Sequence, residues 1–152
     1  MTALAEKLET LEYGVITTPV EFLDEGIAEL LPKDYCQFLR TFPRTGFFDA
    51  DICALGRHAA PGAPDKLYPV TCLFAFSENE SDDLARIRDN DLETPRHFLT
   101  IGRDAFDNHF LLDLRNESRG RVYYHDHETP LEHGVYLVAE SFSAFIESLR
   151  RA

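Results

Sequence analysis

The chain lacks the cysteine pattern of a disulfide-stabilised or zinc-binding protein. It has three cysteines, Cys36, Cys53 and Cys72, which are odd in number and form no Cys-x-x-Cys pair. Such a set fits neither a disulfide framework nor the usual spacing of a zinc site. We therefore expect reduced and mostly buried thiols.

The chain also lacks long apolar runs. No stretch approaches the roughly 20 apolar residues that a membrane-spanning helix needs, and the segment Met1–Glu6 has no basic start followed by an apolar stretch. The sequence therefore predicts neither a membrane partner nor a signal peptide, and it favours a cytoplasmic location.

Basic residues are scarce. Fifteen Lys and Arg stand against 27 Asp and Glu, which gives a formal net charge of -12 and a pI near 4.8. Such a surface repels nucleic acid and speeds the encounter with a basic protein. The same acidity also serves simply to keep a protein soluble, so charge alone leaves both interpretations open.

Enzyme motifs are absent as well. The eight glycines form neither G-x-G-x-x-G nor G-x-x-x-x-G-K, and no G-x-S-x-G nucleophile elbow is present. Asp104, Asp107 and Asp113 form an acidic group, but aspartate in a turn more often bonds its own backbone. His125 and His127 with either Asp113 or His109 make a three-ligand metal site conceivable, without diagnostic spacing. We expect no enzyme, no cofactor and no metal.

What is present predicts one α+β domain over residues 1–152. Leu4, Leu8 and Leu11 indicate a short first helix, and Thr18-Pro19 starts a second that runs to about Leu30. A third helix is predicted from one apolar face, which comprises Tyr35, Phe38, Leu39 and Phe42. Ser81 and Ser141 are expected to cap two more helices, the second with Phe142, Phe145, Ile146 and Leu149 inward. Predicted strands are 47–53, 68–76, 97–101, 109–114, 121–125 and 135–139. Their short connections favour a largely antiparallel twisted sheet with helices packed against one face.

The segment Ile101–Glu128 is the most distinctive part of the chain. Apolar residues alternate with other residues from His109 to Leu114, a glycine-closed turn follows, and Arg121 to His125 resumes as a strand. These features resemble the signature of the SUKH superfamily, which includes fungal cell-wall-synthesis regulators and bacterial immunity proteins. The matching positions read Ile101-Gly102-Arg103-Asp104, Leu112-Asp113-Leu114, Gly120-Arg121-Val122-Tyr123 and Asp126-His127-Glu128.

Two further segments, Leu31–Leu39 and Ser141–Ile146, are also similar to the family, so the resemblance covers about residues 18–149. The resemblance implies an α+β fold in which five motif residues are structural: Gly102, Asp104, Asp113, Gly120 and His127. The chain departs from the family where Asp107-Asn108 replaces a turn glycine and where Phe42–Gly46 replaces an Asn-Gly turn. Asp and Asn tolerate left-handed backbone, so we expect the first turn to survive.

The acidic segment Ser77–Pro95 is the candidate binding surface. It carries two arginines and seven carboxylates, which we expect to face outward while Leu84, Ile87 and Leu92 anchor the segment: Glu78, Glu80, Asp82, Asp83, Asp89, Asp91 and Glu93. A solvated face is the simpler interpretation of such a charge run. The resemblance implies a non-enzymatic immunity protein that binds a toxin domain, and a basic nuclease would suit the charge. The alternative is an intracellular scaffold or regulator that binds endogenous proteins.

Overall fold

The computed structural model describes residues 3–15 and 29–152, so most of the helix expected from Thr18 to Leu30 lies outside the described residues. The described helices are α1 (Ala3–Thr10), α2 (Lys33–Thr41), α3 (Leu84–Asn90) and α4 (Phe142–Glu147), with a 3-10 turn at Glu80–Asp82. The strands are β1 (Tyr13–Val15), β2 (Gly46–Phe48), β3 (Ile52–Leu55), β4 (Leu67–Pro69), β5 (Cys72–Leu73), β6 (Phe98–Arg103), β7 (His109–Asp113), β8 (Val122–His125), β9 (Val135–Ala139) and β10 (Leu149–Arg151).

These strands form two antiparallel sheets. The larger has seven strands in the order β1-β2-β5-β6-β7-β8-β9, and the smaller has the order β10-β3-β4. Every strand pair in both sheets is antiparallel. The α+β fold class is therefore confirmed, although the second sheet was not foreseen.

Two predicted strands were wrong in their extent because the chain crosses between the sheets within each of them. The predicted strand 47–53 is divided into β2 and β3, and 68–76 into β4 and β5. The change of partner is abrupt: the amide of Val70 donates to the carbonyl of Ile52 at 2.9 Å, whereas that of Thr71 donates to Arg103 at 3.0 Å. Periodicity along the chain does not record which sheet a residue joins.

Helix α4 forms the centre of the core. Ser141 caps it as predicted, because its hydroxyl accepts a hydrogen bond from the amide of Ala144 at 3.0 Å. Phe142 and Phe145 are fully buried; the Phe142 ring lies 4.9 Å from that of Tyr35 on α2, and the Phe145 ring 5.3 Å from that of Phe110 on β7. Burial of each ring contributes about 2–3 kcal/mol, so α4 joins the helices to the large sheet.

The chain leaves α4 earlier than predicted. Leu149 is buried as expected, but it belongs to β10, where it pairs with Ala54 of β3. The edge of β9 is also covered, because the amides of Arg57 and His58 donate to the carbonyls of Val138 and Leu137, both at 3.0 Å. Such coverage protects an edge strand from pairing with another chain.

The cysteines are reduced, as predicted. All three thiols are free; Cys53 and Cys72 are buried and Cys36 is half-buried. Burial raises the pKa of the Cys72 thiol to about 12, which makes it a poor nucleophile near neutral pH. Among the described helices, none has the length and apolar character needed to cross a membrane.

Candidate protein-binding surface

The acidic segment Ser77–Pro95 contains a 3-10 turn followed by α3, and its carboxylates have two different roles. Asp83 is buried and caps α3: its Oδ2 accepts from the amide of Arg86 at 3.1 Å, and its Oδ1 from the amide of Ser77 at 2.8 Å. The expectation that Ser81 caps this helix was wrong. Asp83 caps the helix because its two oxygens bond the start of the segment and the first turn of α3, whereas the Ser81 hydroxyl donates to Asn79.

Asp82 and Asp83 do not face outward, which corrects the expectation for two of the seven carboxylates. Asp82 is 9% exposed, and its carbonyl accepts from the hydroxyl of buried Thr45 at 2.6 Å. The same Thr45 oxygen accepts from the amide of Ala75 at 2.8 Å. This chain of bonds fixes the start of the acidic segment to the large sheet, so these residues hold the segment in place.

Asp91 is also occupied by bonds within the segment. Its carboxylate accepts from the amide of Glu93 at 3.0 Å and from the amide and hydroxyl of Thr94. Partial burial opposes the charge, but these hydrogen bonds outweigh it and lower the pKa of Asp91 below its usual range. Asp91 therefore stabilises the turn after α3.

The remaining four carboxylates of the segment, Glu78, Glu80, Asp89 and Glu93, are exposed. Leu84 is fully buried and Ile87 half-buried, as the anchoring role requires, but Leu92 is 90% exposed. The prediction that Leu92 anchors the segment was therefore wrong. It lies just after Asp91, where the helix has ended and the chain turns, so helical periodicity no longer applies.

Asp104 organises the turn between β6 and β7. It is 2% exposed, and its Oδ1 accepts from the amides of Phe106 and Asn108, both at 2.9 Å. Its Oδ2 accepts from the side-chain amide of Asn108 at 2.9 Å and from the hydroxyl of Tyr124 at 3.0 Å. Asp107 has a φ of 67°, so aspartate does occupy left-handed backbone here, as expected from the departure at this turn.

Asp113 has the same role in the turn between β7 and β8. Its fully buried side chain accepts from Arg115 through the backbone amide at 2.9 Å, Nε at 3.0 Å and Nη2 at 2.8 Å, and from the Ser118 hydroxyl at 2.7 Å. Desolvation opposes the charge, but the bonds from Arg115 and Ser118 lower the pKa of Asp113 below its usual range. Gly120 closes the turn at a φ of 97°, and its amide donates to the Asp113 carbonyl at 2.8 Å.

Gly102 allows β5 and β6 to approach closely. A Cβ atom at this position would lie 2.6 Å from the carbonyl oxygen of Cys72. The strand register with β7 also shifts between Thr100 and Gly102. Only glycine fits at this position, because the two backbones leave no room for a side chain.

Of the two alternative third ligands for a metal site, Asp113 lies far from His125, whereas His109 is its neighbour across the strands. His125 pairs with His109 across β7 and β8, and Asp113 lies four residues further along β7, about 13 Å away at the usual rise. His125 lies 3.1 Å from the Thr129 carbonyl, and Nδ1 of exposed His127 lies 2.6 Å from Oδ1 of Asn108. Within residues 3–15 and 29–152, no group of three or more His, Cys, Asp or Glu side chains is placed to hold a metal ion.

Two adjoining grooves lie on either side of His127 and Glu128. The first, called the histidine groove, has a volume of about 480 Å³, and its charged and imidazole lining residues are Asp91, Glu93, His109, His125, His127, Glu128 and Glu132. Burial lowers the pKa of His109 despite its ion pair with Asp107 at 3.5 Å and the nearby Asp91. The negative charge of the histidine groove comes from its four carboxylates, Asp91, Glu93, Glu128 and Glu132.

The second groove, called the Phe106 groove, has a volume of about 350 Å³. Its lining includes Asp104, Asp126, His127 and Glu128, together with Phe106 itself. No Lys or Arg belongs to the described lining of either groove. The two grooves together therefore present a concave surface of one charge sign, close to the turn that Asp104 organises.

Three places in the structure carry the sequence signature: the Asp104 turn, the Asp113 turn and the Asp126-His127-Glu128 segment that follows β8. A family model for the SMI1 / KNR4 family (SUKH-1) matches residues 27–148. The chain belongs to this family. No curated protein and no solved structure matches the chain. The SUKH-1 assignment confirms the predicted superfamily and covers well over half of the sequence.

Within this SUKH-1 domain, the structural roles of the signature residues are visible, but the grooves were missed from sequence. Glu132 lies in the loop between β8 and β9, whereas His109 lies on β7. Only the folded sheet brings them to one groove. Phe106 had one available signal, since a large aromatic residue stood in an otherwise polar turn between Asp104 and Asp107. The candidate surface therefore extends beyond the acidic segment toward the Phe106 turn.

Proposed function

We propose that this SUKH-1 domain is a non-enzymatic immunity protein, which binds a basic toxin domain and neutralises it by occlusion. The observation that carries this proposal is the pair of adjoining grooves, whose described lining holds carboxylates and histidines but neither Lys nor Arg. The net charge of the chain, -12, has the same sign. Both features suit a basic protein partner and oppose nucleic acid.

The proposed mechanism is steric and electrostatic. A nuclease holds phosphates with basic side chains, so an acidic concave surface fits over the region that its substrate needs. Glu93, Glu128 and Glu132 are exposed around the histidine groove and are available to form ion pairs with the partner. Long-range attraction speeds the encounter, while close charge pairs across the interface set its orientation.

The acidic segment contributes to this surface through Asp91 and Glu93, which line the histidine groove. Its exposed carboxylates Glu78, Glu80 and Asp89 extend the negative charge along α3 and the preceding turn. Asp82 and Asp83 support the segment from inside, so they act on binding only through its conformation. The proposed contact is therefore made by the exposed carboxylates of the segment and not by Asp82 or Asp83.

The test begins with the neighbouring genes, one of which we expect to encode a basic toxin domain, and continues with co-expression of that domain and the SUKH-1 protein. We expect bacteria that express this toxin domain to survive only when the SUKH-1 protein is also present, and we expect the two purified proteins to elute together in size-exclusion chromatography. The absence of both protection and a complex would overturn the proposal. A complex with an endogenous housekeeping protein instead would favour the scaffold interpretation.

A further inference from the structure

Phe106 is an exposed aromatic side chain on a well-ordered turn. It is 76% exposed, and its amide donates to Asp104 at 2.9 Å. The other bonds to Asp104 come from Asn108 in the same turn and from Tyr124 on β8, so the turn is held both from within and by a neighbouring strand. Because the backbone is fixed in this way, the ring has no simple route to burial within the same molecule.

The ring is not an isolated apolar group. It borders the Phe106 groove, whose lining also includes exposed Pro69 and the half-buried ring of Tyr124. Leu92 is even more exposed, at 90%, but it belongs to the lining of neither groove. Single exposed apolar residues are common on protein surfaces, whereas an aromatic ring beside a groove is typical of an interface anchor.

The charges around Phe106 indicate what kind of partner fits. Asp107 follows it directly with a side chain that is 77% exposed, and Asp126 and Glu128 line the same groove. The lining that the structure describes for this groove contains no Lys or Arg. An apolar anchor inside an acidic rim is complementary to an apolar depression inside a basic rim.

We propose that Phe106 is the anchor of the protein interface and inserts into an apolar depression on a basic protein partner, with Asp107, Asp126 and Glu128 meeting the basic rim. This inference rests on the proposed immunity function and specifies how the partner docks. The turn is ordered before binding, so little conformational entropy is lost when the ring is buried. Phe106 therefore acts mainly on the lifetime of the complex, and the carboxylates act mainly on the rate of encounter.

The experiment measures binding of the purified, catalytically inactivated toxin domain encoded beside the gene, by surface plasmon resonance. We expect Phe106→Ala to raise Kd at least tenfold, chiefly through faster dissociation, and Phe106→Tyr to retain most of the affinity. Leu30→Ala is the matched control, since Leu30 is 39% exposed and lies outside both the acidic segment and the described lining of the two grooves, and its Kd should stay within twofold of the original. All three variants should unfold at the same urea concentration as the unmodified protein.

The outcomes separate the two proposals. Binding by the unmodified protein with an unchanged Kd for Phe106→Ala would overturn the anchor and leave the immunity function standing. Failure of the unmodified protein to bind or to protect cells would overturn the immunity function, and the anchor with it. A similar loss in Phe106→Ala and Leu30→Ala would also overturn the anchor, because it would show a general dependence on exposed apolar area.

Discussion

The hydroxyl of Tyr124 donates a hydrogen bond to Oδ2 of Asp104 at 3.0 Å. This bond joins β8 to the turn between β6 and β7, and the same carboxylate holds the amides of Phe106 and Asn108. Burial and the neighbouring Asp104 charge raise the pKa of Tyr124 above its usual range, so the hydroxyl keeps its proton and remains a donor. The strand thus supports the turn that presents Phe106.

Tyr124→Phe removes this donor while keeping the ring. We expect the free energy of unfolding to fall by about 1 kcal/mol, because one buried carboxylate oxygen loses a partner. Urea denaturation followed by circular dichroism measures the change. Tyr136→Phe is the control, since its hydroxyl makes only a long exposed bond of 3.4 Å to His133; an equal effect in both variants would contradict the supporting role of Tyr124.

Asp113→Asn should destabilise the protein at neutral pH by about 2 kcal/mol, because hydrogen bonds to a charged group are lost from a buried position. The contribution of Asp113 depends on pH, since its pKa is lowered in the folded state. This contribution to stability is fully present above about pH 3.9, the pKa of aspartate in the unfolded chain, and it is lost as the pH falls through the lower pKa of the folded state.

Urea unfolding from pH 7 down to about pH 2 tests this dependence. The difference between the unmodified protein and Asp113→Asn should stay constant above about pH 4 and shrink below it. Asp89→Asn replaces an exposed aspartate and should leave the stability curve unchanged at neutral pH. A difference that grows as the pH falls would have the wrong sign for a stabilised carboxylate.

Gly102→Ala should lower the free energy of unfolding by about 1–3 kcal/mol, because the new methyl group would meet the backbone oxygen of Cys72 at 2.6 Å. Gly62→Ala is a matched control, since no atom lies within 4 Å of the position of its new Cβ. We expect that control to stay within about 0.5 kcal/mol. Thermal unfolding of the two variants compares them directly, and equal stability would refute a steric requirement at Gly102.

The triple variant Glu93→Gln, Glu128→Gln and Glu132→Gln removes three charges from the groove surface. We expect its association rate with the toxin domain to fall about tenfold at low salt and to depend less on salt concentration. Glu6→Gln, Glu9→Gln and Glu147→Gln remove the same number of charges from exposed positions on α1 and α4. Stopped-flow measurements at two salt concentrations that show equal rates for both triple variants would exclude the grooves as the docking surface.

Local signals were enough for the hairpin of β7 and β8 and for the start of the last helix. The alternation of Phe110 and Leu112 with their neighbours predicted β7, and the strand Val135–Ala139 has the predicted bounds. Ser141 caps α4 through its own side chain, so that boundary is a property of neighbouring residues. The same is true of Asp107, whose left-handed backbone was expected from its residue type.

The sequence by itself determined the α+β class, the SUKH-1 family and the acidic character of the chain, because periodicity, motif order and charge are all local or additive. Only the tertiary structure decided which carboxylates are exposed. Glu93 is exposed, whereas Asp82 and Asp83 of the same segment are buried; there the Asp82 carbonyl accepts from the Thr45 hydroxyl and the Asp83 carboxylate accepts from the Ser77 amide. Likewise, β7, the turn after α3 and the loop after β8 form one groove only because the sheet brings distant segments together, and no local pattern encodes that contact.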